Sequence, residues 1–299
     1  MNEDAPMATH EREITAAVDL CAPNGTLNPD ARGWSRVPLH RANLQGKFGR
    51  NKRWDYWGIL AGDLLISSTF SNVDYLGIVD VWWADLATGR TGGRARTVPF
   101  PRDLALPECP GTAPLRSSSK SLTVEMIDDE IGTHLRASWI ERDGTPGRLD
   151  ATVELPAGHE SLNVVIPWSE TTFQFTSKHQ ARPAHGELVL GDDVRRFGDD
   201  GSAWGVLDVG RLTKVGDELE WDYRWDDPMH EWRVRAPDGS IDLALHPRYD
   251  KHSRTEVRVM GMEVHQVFGH WSGSVRTDEG VTVAFDGMQG FAEECRARW

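Results

Sequence analysis

The amino-acid sequence predicts an all-β protein that consists of two halves. Its apolar residues fall in short runs rich in β-branched and aromatic side chains, and few segments have a helical period. Turn-forming residues separate these runs at close intervals, as at Ala61-Gly62-Asp63 and Asn72-Val73-Asp74. Many short strands at close spacing are typical of an antiparallel sandwich or barrel.

The first half opens with the one helix that we expect, a short one over residues 8–20. The strands predicted after it span 55–60, 64–70, 75–83, 122–127, 134–141 and 149–155. Between the third and fourth of these strands, residues 98–120 are rich in proline. Because proline removes a hydrogen-bond donor from a sheet, this segment is predicted to be a long loop, either a plain connection or a cover over a site.

The second half is predicted to begin after Pro156-Ala157-Gly158. This gives an N-terminal segment 1–20, a first β-barrel domain 21–157 and a second β-barrel domain 158–299. In the segment 160–188, alternation places four apolar side chains on one face, which we expect to be core. They are Leu162, Val164, Ile166 and Trp168. Later strands are predicted at 203–209, 232–235, 241–246, 257–268 and 281–285.

Composition limits the classes of partner. The formal net charge of -13 argues against nonspecific binding to nucleic acid or to an anionic membrane surface. The three cysteines are odd in number, widely spaced and without a C-x-x-C pair, so a reducing, cytoplasmic location is expected. We expect no signal peptide and no integral membrane segment. The oligomeric state is not set by these features.

Common cofactor motifs do not occur in the sequence. It contains no Walker A motif, no G-x-G-x-x-G after a strand, no G-x-S-x-G and no H-E-x-x-H. The 11 histidines include no H-x-H or H-x-x-x-H pair that would align two imidazoles on one element. We therefore expect no cofactor and no metal site.

Five residues are candidates for ligand contact. Trp54 and Trp57 lie on opposite faces of one strand, which indicates either packing on both sides or contact with a ligand. Gln174 and Lys178 share the polar face of a strand, and Lys178 at its end is either solvated or able to bind an acidic head group. Gln266 interrupts an apolar row, where an amide needs a partner in the core or in a ligand.

Three residues are weaker candidates for acid–base catalysis. Glu263 and His265 are two residues apart on one strand, close enough for a carboxylate and an imidazole to interact. The alternative is an ordinary surface pair. Asp74, in a turn between two strands, is the third candidate.

Several segments together carry a family resemblance. They are CAPNGTLNPDARGWSRVPL (21–39), KRWDYW (52–57), ESLNVVIPWSETTFQFTSKHQARPAHGEL (160–188), LDVGR (207–211), EVHQVFGHWSGSV (263–275) and GFAEECRARW (290–299). On these segments the chain resembles the bacterial domain-of-unknown-function family 2804. That family is distantly similar to two-part lipocalin-like proteins, among them carotenoid hydratases and fungal proteins related to sphingolipid metabolism. The resemblance implies two lipocalin-like antiparallel β-barrels or half-barrels in tandem.

The sequence departs from the family pattern at one point. The family continues from the LDVGR-like segment into a stretch rich in tryptophan and glycine, whereas here Arg211 leads almost directly to LTKVGDELEW. A block that should supply strands to the second half is missing. Its absence would open that barrel or leave a sheet edge exposed.

These observations predict a binding protein for a hydrophobic small molecule, such as a lipid or isoprenoid. The 13 tryptophans are either core residues or the wall of an aromatic cavity for that molecule. One alternative is a hydratase, isomerase or cyclase that acts on such a substrate without a cofactor. The other is a structural or partner-binding protein.

Overall fold

A computed structural model describes residues 11–44, 46, 48–112, 114–199, 212, 213, 215, 218–257 and 260–298. The chain divides into two compact units. The first unit is Glu11–Leu212, and the second contains the carboxyl-terminal part from Thr213 onward. The described residues are almost entirely β-structure, so the all-β prediction is confirmed.

Among its described residues, the first unit has fifteen strands and one short 3-10 helix, Pro29–Ala31. The strands are β1 (Val18–Asp19), β2 (Trp34–Ser35), β3 (His40–Arg41), β4 (Arg53–Ala61), β5 (Leu64–Asn72), β6 (Leu76–Asp85), β7 (Arg90–Pro99), β8 (Leu115–Ser118), β9 (Leu122–Asp128), β10 (Gly132–Ile140), β11 (Pro146–Glu154), β12 (Leu162–Pro167), β13 (Phe173–Lys178), β14 (Ala184–Leu190) and β15 (Asp193–Phe197).

Two antiparallel sheets form the body of this unit. One has the strand order β4-β5-β6-β7, and the other has the order β15-β14-β11-β10-β9-β8. Alternate side chains of both sheets form one buried cluster, which includes Ile66, Val81, Leu135 and Leu188. In β10 and β11, alternation of buried and outward residues produces this arrangement, because every second side chain points to the same face; β5 instead begins with five consecutive buried residues.

The described sheets remain open rather than closing into a barrel. Consecutive strands β7 and β8 belong to different sheets, and a side chain spans the gap between them. Arg96 Nη1 donates to Ser117 Oγ at 2.9 Å and to the carbonyl oxygen of Ser118 at 2.8 Å. The tandem closed barrel is thus not seen in this part of the chain, and the sandwich alternative describes it better.

A smaller sheet, β13-β12-β2, and the pair β1-β3 complete the first unit. Residues 11–20 contain no helix, so the predicted helix is wrong there. The backbone amide of Ile14 bonds to the carbonyl of Trp34, and Val18 pairs with His40 in a parallel ladder. Partners elsewhere in the chain therefore override the weak local helical preference.

The β12–β13 hairpin is present, but its buried face is the opposite of the predicted one. Asn163 and Val165 are buried, whereas Ile166 is 43% exposed and Trp168 is 65% exposed. Burial of Asn163 is possible because its amide nitrogen bonds to the carbonyl oxygens of Ser35 and Ser161. A fully bonded amide thus occupies a position that hydrophobicity alone assigns to the surface.

The second unit is one antiparallel sheet of order β16-β17-β18-β19-β20. Its strands are β16 (Glu220–Asp222), β17 (Trp232–Arg235), β18 (Ile241–Val257), β19 (Met260–Arg276) and β20 (Thr282–Arg298). Trp232, Leu245, Val267 and Ala292 form the apolar centre of one face. On the same face, Asp250, opposite Val267 in the register, begins a polar continuation.

The division between the units lies later than the predicted boundary at 157/158. Strand β11 pairs with β14, as Leu149 does with Leu188, so one sheet contains residues from both sides of that boundary. The Pro-Ala-Gly turn is therefore a connection within the first unit.

Several predictions lie outside the described residues. They are the strand at 203–209, the LDVGR segment with Arg211, the first three residues of the helix, and Trp299. In the described chain, no helical segment has the length and the apolar composition that a membrane crossing requires.

Candidate functional site

The candidate site lies at one end of the sandwich in the first unit. Strand β4 directs Asp55 and Trp57 inward, on the same face as the buried Ile59, and Trp57 packs against the sandwich core. Asp128 ends β9 of the opposite sheet, at the same end as Thr133 of β10. Asp55, Trp57 and Asp128 are each partly exposed, so this end of the sandwich is accessible to solvent.

A hydrogen-bonded relay from the third sheet orients His179 at this end. Ser177 Oγ donates to Asn163 Oδ1 at 2.6 Å, because an amide oxygen can only accept. The hydroxyl proton is then used, so the 3.0 Å contact between Ser177 Oγ and His179 Nε2 requires the imidazole to donate. This fixes the tautomer of His179 and leaves Nδ1 with a lone pair.

The lone pair of His179 has no partner among the described residues. Nδ1 of His179 is buried and makes no hydrogen bond, and the same holds for Nε2 of His159. The two imidazole rings are nearly parallel, with centroids 6.1 Å apart. Two buried nitrogens without a partner are unusual, since buried polar atoms are nearly always bonded.

Burial and nearby charge keep His179 neutral. Loss of solvation, with smaller contributions from Arg182 and His159, lowers the pKa of His179 to about 4. Burial also lowers the pKa of His159. At neutral pH, His179 is therefore an uncharged hydrogen-bond acceptor.

Arg182 forms the floor of the site. Its guanidinium donates to the carbonyl oxygens of Glu154 at 2.6 Å and Val153 at 2.8 Å, and lies over the ring of Trp57 at 4.9 Å. Burial lowers the pKa of Arg182 to about 10, although the Asp128 carboxylate opposes this. The contact fixes the Trp57 ring by a cation–π interaction, so this aromatic surface is preorganised.

Asp55 is a further group with a perturbed pKa at this end. Burial, reinforced by the charge of Asp128, raises the pKa of Asp55 to about 6. A carboxyl with such a pKa can both accept and donate a proton near neutral pH. Perturbed carboxyl and imidazole groups in one accessible region are typical of functional sites, although structural networks also produce them.

A depression of about 210 Å³, lined by both apolar and charged residues, adjoins this region. Phe70, which lines it, is the direct cross-strand partner of Asp55. The other lining residues are Asp103, Leu104, Ala105, Pro114, Leu115 and Arg116. The proline-rich segment therefore covers part of the sandwich end, and Arg53 fastens it by donating to the carbonyl oxygen of Leu106 at 2.8 Å.

The structure places some of the predicted ligand residues in the site and others outside it. Trp57 belongs to the site, whereas Trp54 is on the outer face of β4 and is 56% exposed. Gln174 donates to Thr176 Oγ1 at 3.4 Å on the half-buried side of β13 that faces away from Phe173 and Phe175. Lys178 is exposed on that same side, and the neighbouring residue His179 enters the site instead.

The other candidates lie elsewhere. Asp74 is in the turn after β5, and its carboxylate accepts from the backbone amides of Gly49 and Asn51 at 2.7 and 3.1 Å. Gln266 in the second unit is buried and donates to Glu293 Oε2 at 3.1 Å. These three hydrogen bonds stabilise the local structure.

Glu263 and His265 share one face of β19, as predicted, but neither bonds to the other. Glu263 Oε1 contacts His252 Nε2 at 2.9 Å, and His265 Nδ1 contacts Asp250 Oδ2 at 2.8 Å. Both partners come from the neighbouring strand β18. The structure thus converts one predicted pair into a cluster of four polar side chains.

A family comparison covers nearly the whole chain. The model of the family described as "Domain of unknown function (DUF2804)" matches residues 11–211 and 209–299. The chain belongs to this family. The two matched segments of this DUF2804 protein meet at 209–211, where the sequence places the missing block. No curated protein and no solved structure matches the chain.

Sequence reasoning missed the central residues of the site in this DUF2804 protein. His179 and Arg182 belong to one segment, and Asp55 and Trp57 to a distant strand; the tertiary structure brings His179 and Arg182 against Trp57, two residues from Asp55 on the same face of β4. The one available signal was the density of basic and imidazole side chains in KHQARPAH, residues 178–185.

Proposed function

We propose that the first unit binds a small molecule that has an apolar body and a hydroxyl group. The hydroxyl donates to His179, and the apolar body lies against Trp57 and toward the neighbouring depression. We call this arrangement the histidine–tryptophan site and define it by Asp55, Trp57, His159, His179 and Arg182.

The observation that carries this proposal is the unpartnered Nδ1 of His179. The relay through Ser177 and Asn163 commits the opposite nitrogen, so Nδ1 can only accept a hydrogen bond. An unsatisfied buried acceptor costs about 1–3 kcal/mol, which a donor on a ligand would recover. A hydroxyl supplies such a donor without introducing a charge.

The surroundings favour an apolar body on the rest of the ligand. Trp57 offers a large, fixed, partly exposed ring, with its centroid 6.4 Å from that of His179. The neighbouring depression is lined by the buried apolar residues Phe70, Leu104 and Leu115, together with the charged residues Asp103 and Arg116. Few polar groups among aromatic and aliphatic walls are the usual composition of small-molecule sites.

A matched pair of probes tests the proposal. Farnesol and farnesyl methyl ether have the same apolar body, but only the alcohol donates a hydrogen bond. Titration of the full chain, followed by tryptophan fluorescence and calorimetry, should show at least about tenfold tighter binding of the alcohol, since 1.4 kcal/mol corresponds to tenfold. His179→Ala should abolish this preference, and His185→Ala on the exposed side of β14 should retain it.

The aromatic contact has its own control on the same strand. Trp57→Ala should weaken binding of both probes, whereas Trp54→Ala on the outer face should leave it unchanged. Native mass spectrometry of gently purified protein should also detect a retained apolar molecule. Equal affinity for the alcohol and the ether, or equal effects of the two tryptophan changes, would show that this site does not bind such ligands.

Asp55 supports a second candidate, a proton-transfer enzyme that acts on the bound molecule without a cofactor. Its pKa of about 6 suits a group that protonates and deprotonates carbon in a hydratase or isomerase. Incubation with farnesol in deuterated water should then place deuterium at alkene carbons, detectable by mass spectrometry. Asp55→Asn should stop the exchange while binding persists; absence of exchange in the wild type leaves the binding function alone.

A further inference from the structure

The four-residue polar cluster of the second unit has the composition of a metal site. His252 of β18 and His265 of β19 are direct cross-strand partners, and Glu263 lies two residues before His265 on the same face. One potential ligand atom from each of His252, Glu263 and His265 lies within 4.8 Å of the others. Two imidazoles and a carboxylate are a ligand set that divalent transition metals use.

His265 is already oriented as a ligand. Its Nδ1 donates to Asp250 Oδ2 at 2.8 Å, since the carboxylate accepts, and this leaves the lone pair on Nε2. The rings of Trp225 and His265 meet edge to face, with centroids 4.6 Å apart, and His265 is only 8% exposed. A carboxylate behind the distal nitrogen is the usual support of a metal-binding histidine.

His252 and Glu263 form the more exposed side of the same cluster. Their contact is 2.9 Å, and the His252 ring stacks on His265 at 4.3 Å with an angle of 2°. The His252 side chain is 43% exposed and can therefore turn. Arg254, opposite Glu263 in the register, donates to Glu256 at 2.7 Å and also interacts electrostatically with Glu263, whose hydrogen bond goes to His252.

We propose that His252, Glu263 and His265 bind one divalent transition-metal ion of the zinc type, with Asp250 supporting His265. Metal–ligand lengths of about 2.0–2.1 Å place the ligand atoms of a tetrahedral site about 3.4 Å apart. Closure from the present separation requires His252 to rotate out of the parallel stack. Three protein ligands leave a fourth position open for water.

The site departs from the prediction that the chain has no metal ligands. That prediction looked for two histidines aligned on one element. Here the ligands lie on two antiparallel strands, and His252 and His265 meet only because of the register of β18 and β19.

Cobalt(II) is a suitable probe, because its visible absorption reports the coordination geometry. The full chain, stripped with a chelator, should bind about one equivalent and develop absorption bands that zinc removes. His252→Gln and Glu263→Gln should each weaken binding at least about tenfold, and Asp250→Asn about 10–100-fold. His246→Gln on the same strand is the control, because this exposed histidine contacts Ser272 and lies outside the cluster.

Wild-type protein provides a measurement that does not depend on variants. Zinc should shift the imidazole nitrogen resonances of two histidines, with Nε2 bound and Nδ1 protonated in His265. Circular dichroism in metal-free buffer checks that each variant is folded. Failure of cobalt to bind the wild type at micromolar concentration, or an equal loss of affinity in the His246 control, would overturn the assignment.

Discussion

Asp55→Asn is expected to stabilise the protein at neutral pH. The pKa of Asp55 rises from its ordinary value of 3.8 to about 6 in the folded state, first because of burial and then because of Asp128. The folded state therefore holds a proton that the unfolded state releases. The contribution of this protonated carboxyl to the free energy of unfolding is fully present below about pH 4 and is lost as pH rises through about 6.

The magnitude follows from the size of the shift. A rise of about two pH units corresponds to about 3 kcal/mol, at 1.36 kcal/mol per unit. Because Asp55 is partly exposed, solvent screening reduces this to about 1–3 kcal/mol. Asparagine has nearly the same shape and no charge, so the variant should avoid this cost above pH 6.

Urea denaturation at pH 4.5 and pH 7.5 provides the assay. The advantage of Asp55→Asn in the free energy of unfolding should grow by about 1–2 kcal/mol between these two pH values. Asp150→Asn, at an exposed carboxylate of the neighbouring sheet, is the matched control and should show no comparable growth. A constant advantage across this range, or the same growth in the control, would refute the account of Asp55.

Three further changes test the fold. Leu188→Ala should lower the free energy of unfolding by about 2–5 kcal/mol, because Leu188 is fully buried, whereas Val194→Ala at a half-exposed position should change it by less than about 0.5 kcal/mol in the same urea titration. Gly147→Ala should cost about 1–3 kcal/mol in thermal unfolding, because its new methyl would lie 2.2 Å from the Trp139 ring; an unchanged midpoint would contradict this packing. The hydrogen bond from Arg195 lowers the pKa of Asp85 to about 2, so the stability gap between wild type and Asp85→Asn should be complete above about pH 4 and close as pH falls through about 2; a gap that widens in acid would contradict it.

Strand content was predictable because strand-forming composition is a local property. The runs that contain Ile66, Val81 and Leu135 are short and rich in branched and aromatic residues, and each became a strand with that side chain in the core. The predicted helix is wrong over residues 11–20, because the backbone amides of Ile14 and Val18 bond to distant segments of the chain. The prediction of which hairpin face is buried was wrong, because the hydrogen bonds of Asn163 offset the cost of burying its polar side chain.

The sequence by itself determined the all-β class and the family, since strand-forming composition and motif identity are encoded in neighbouring residues. The tertiary structure alone decided which distant side chains meet. The tautomer of His179 depends on Asn163, and the pairing of His252 with His265 depends on strand register. Long-range contacts and desolvation set these properties, and neither can be read from the spacing of residues along a chain.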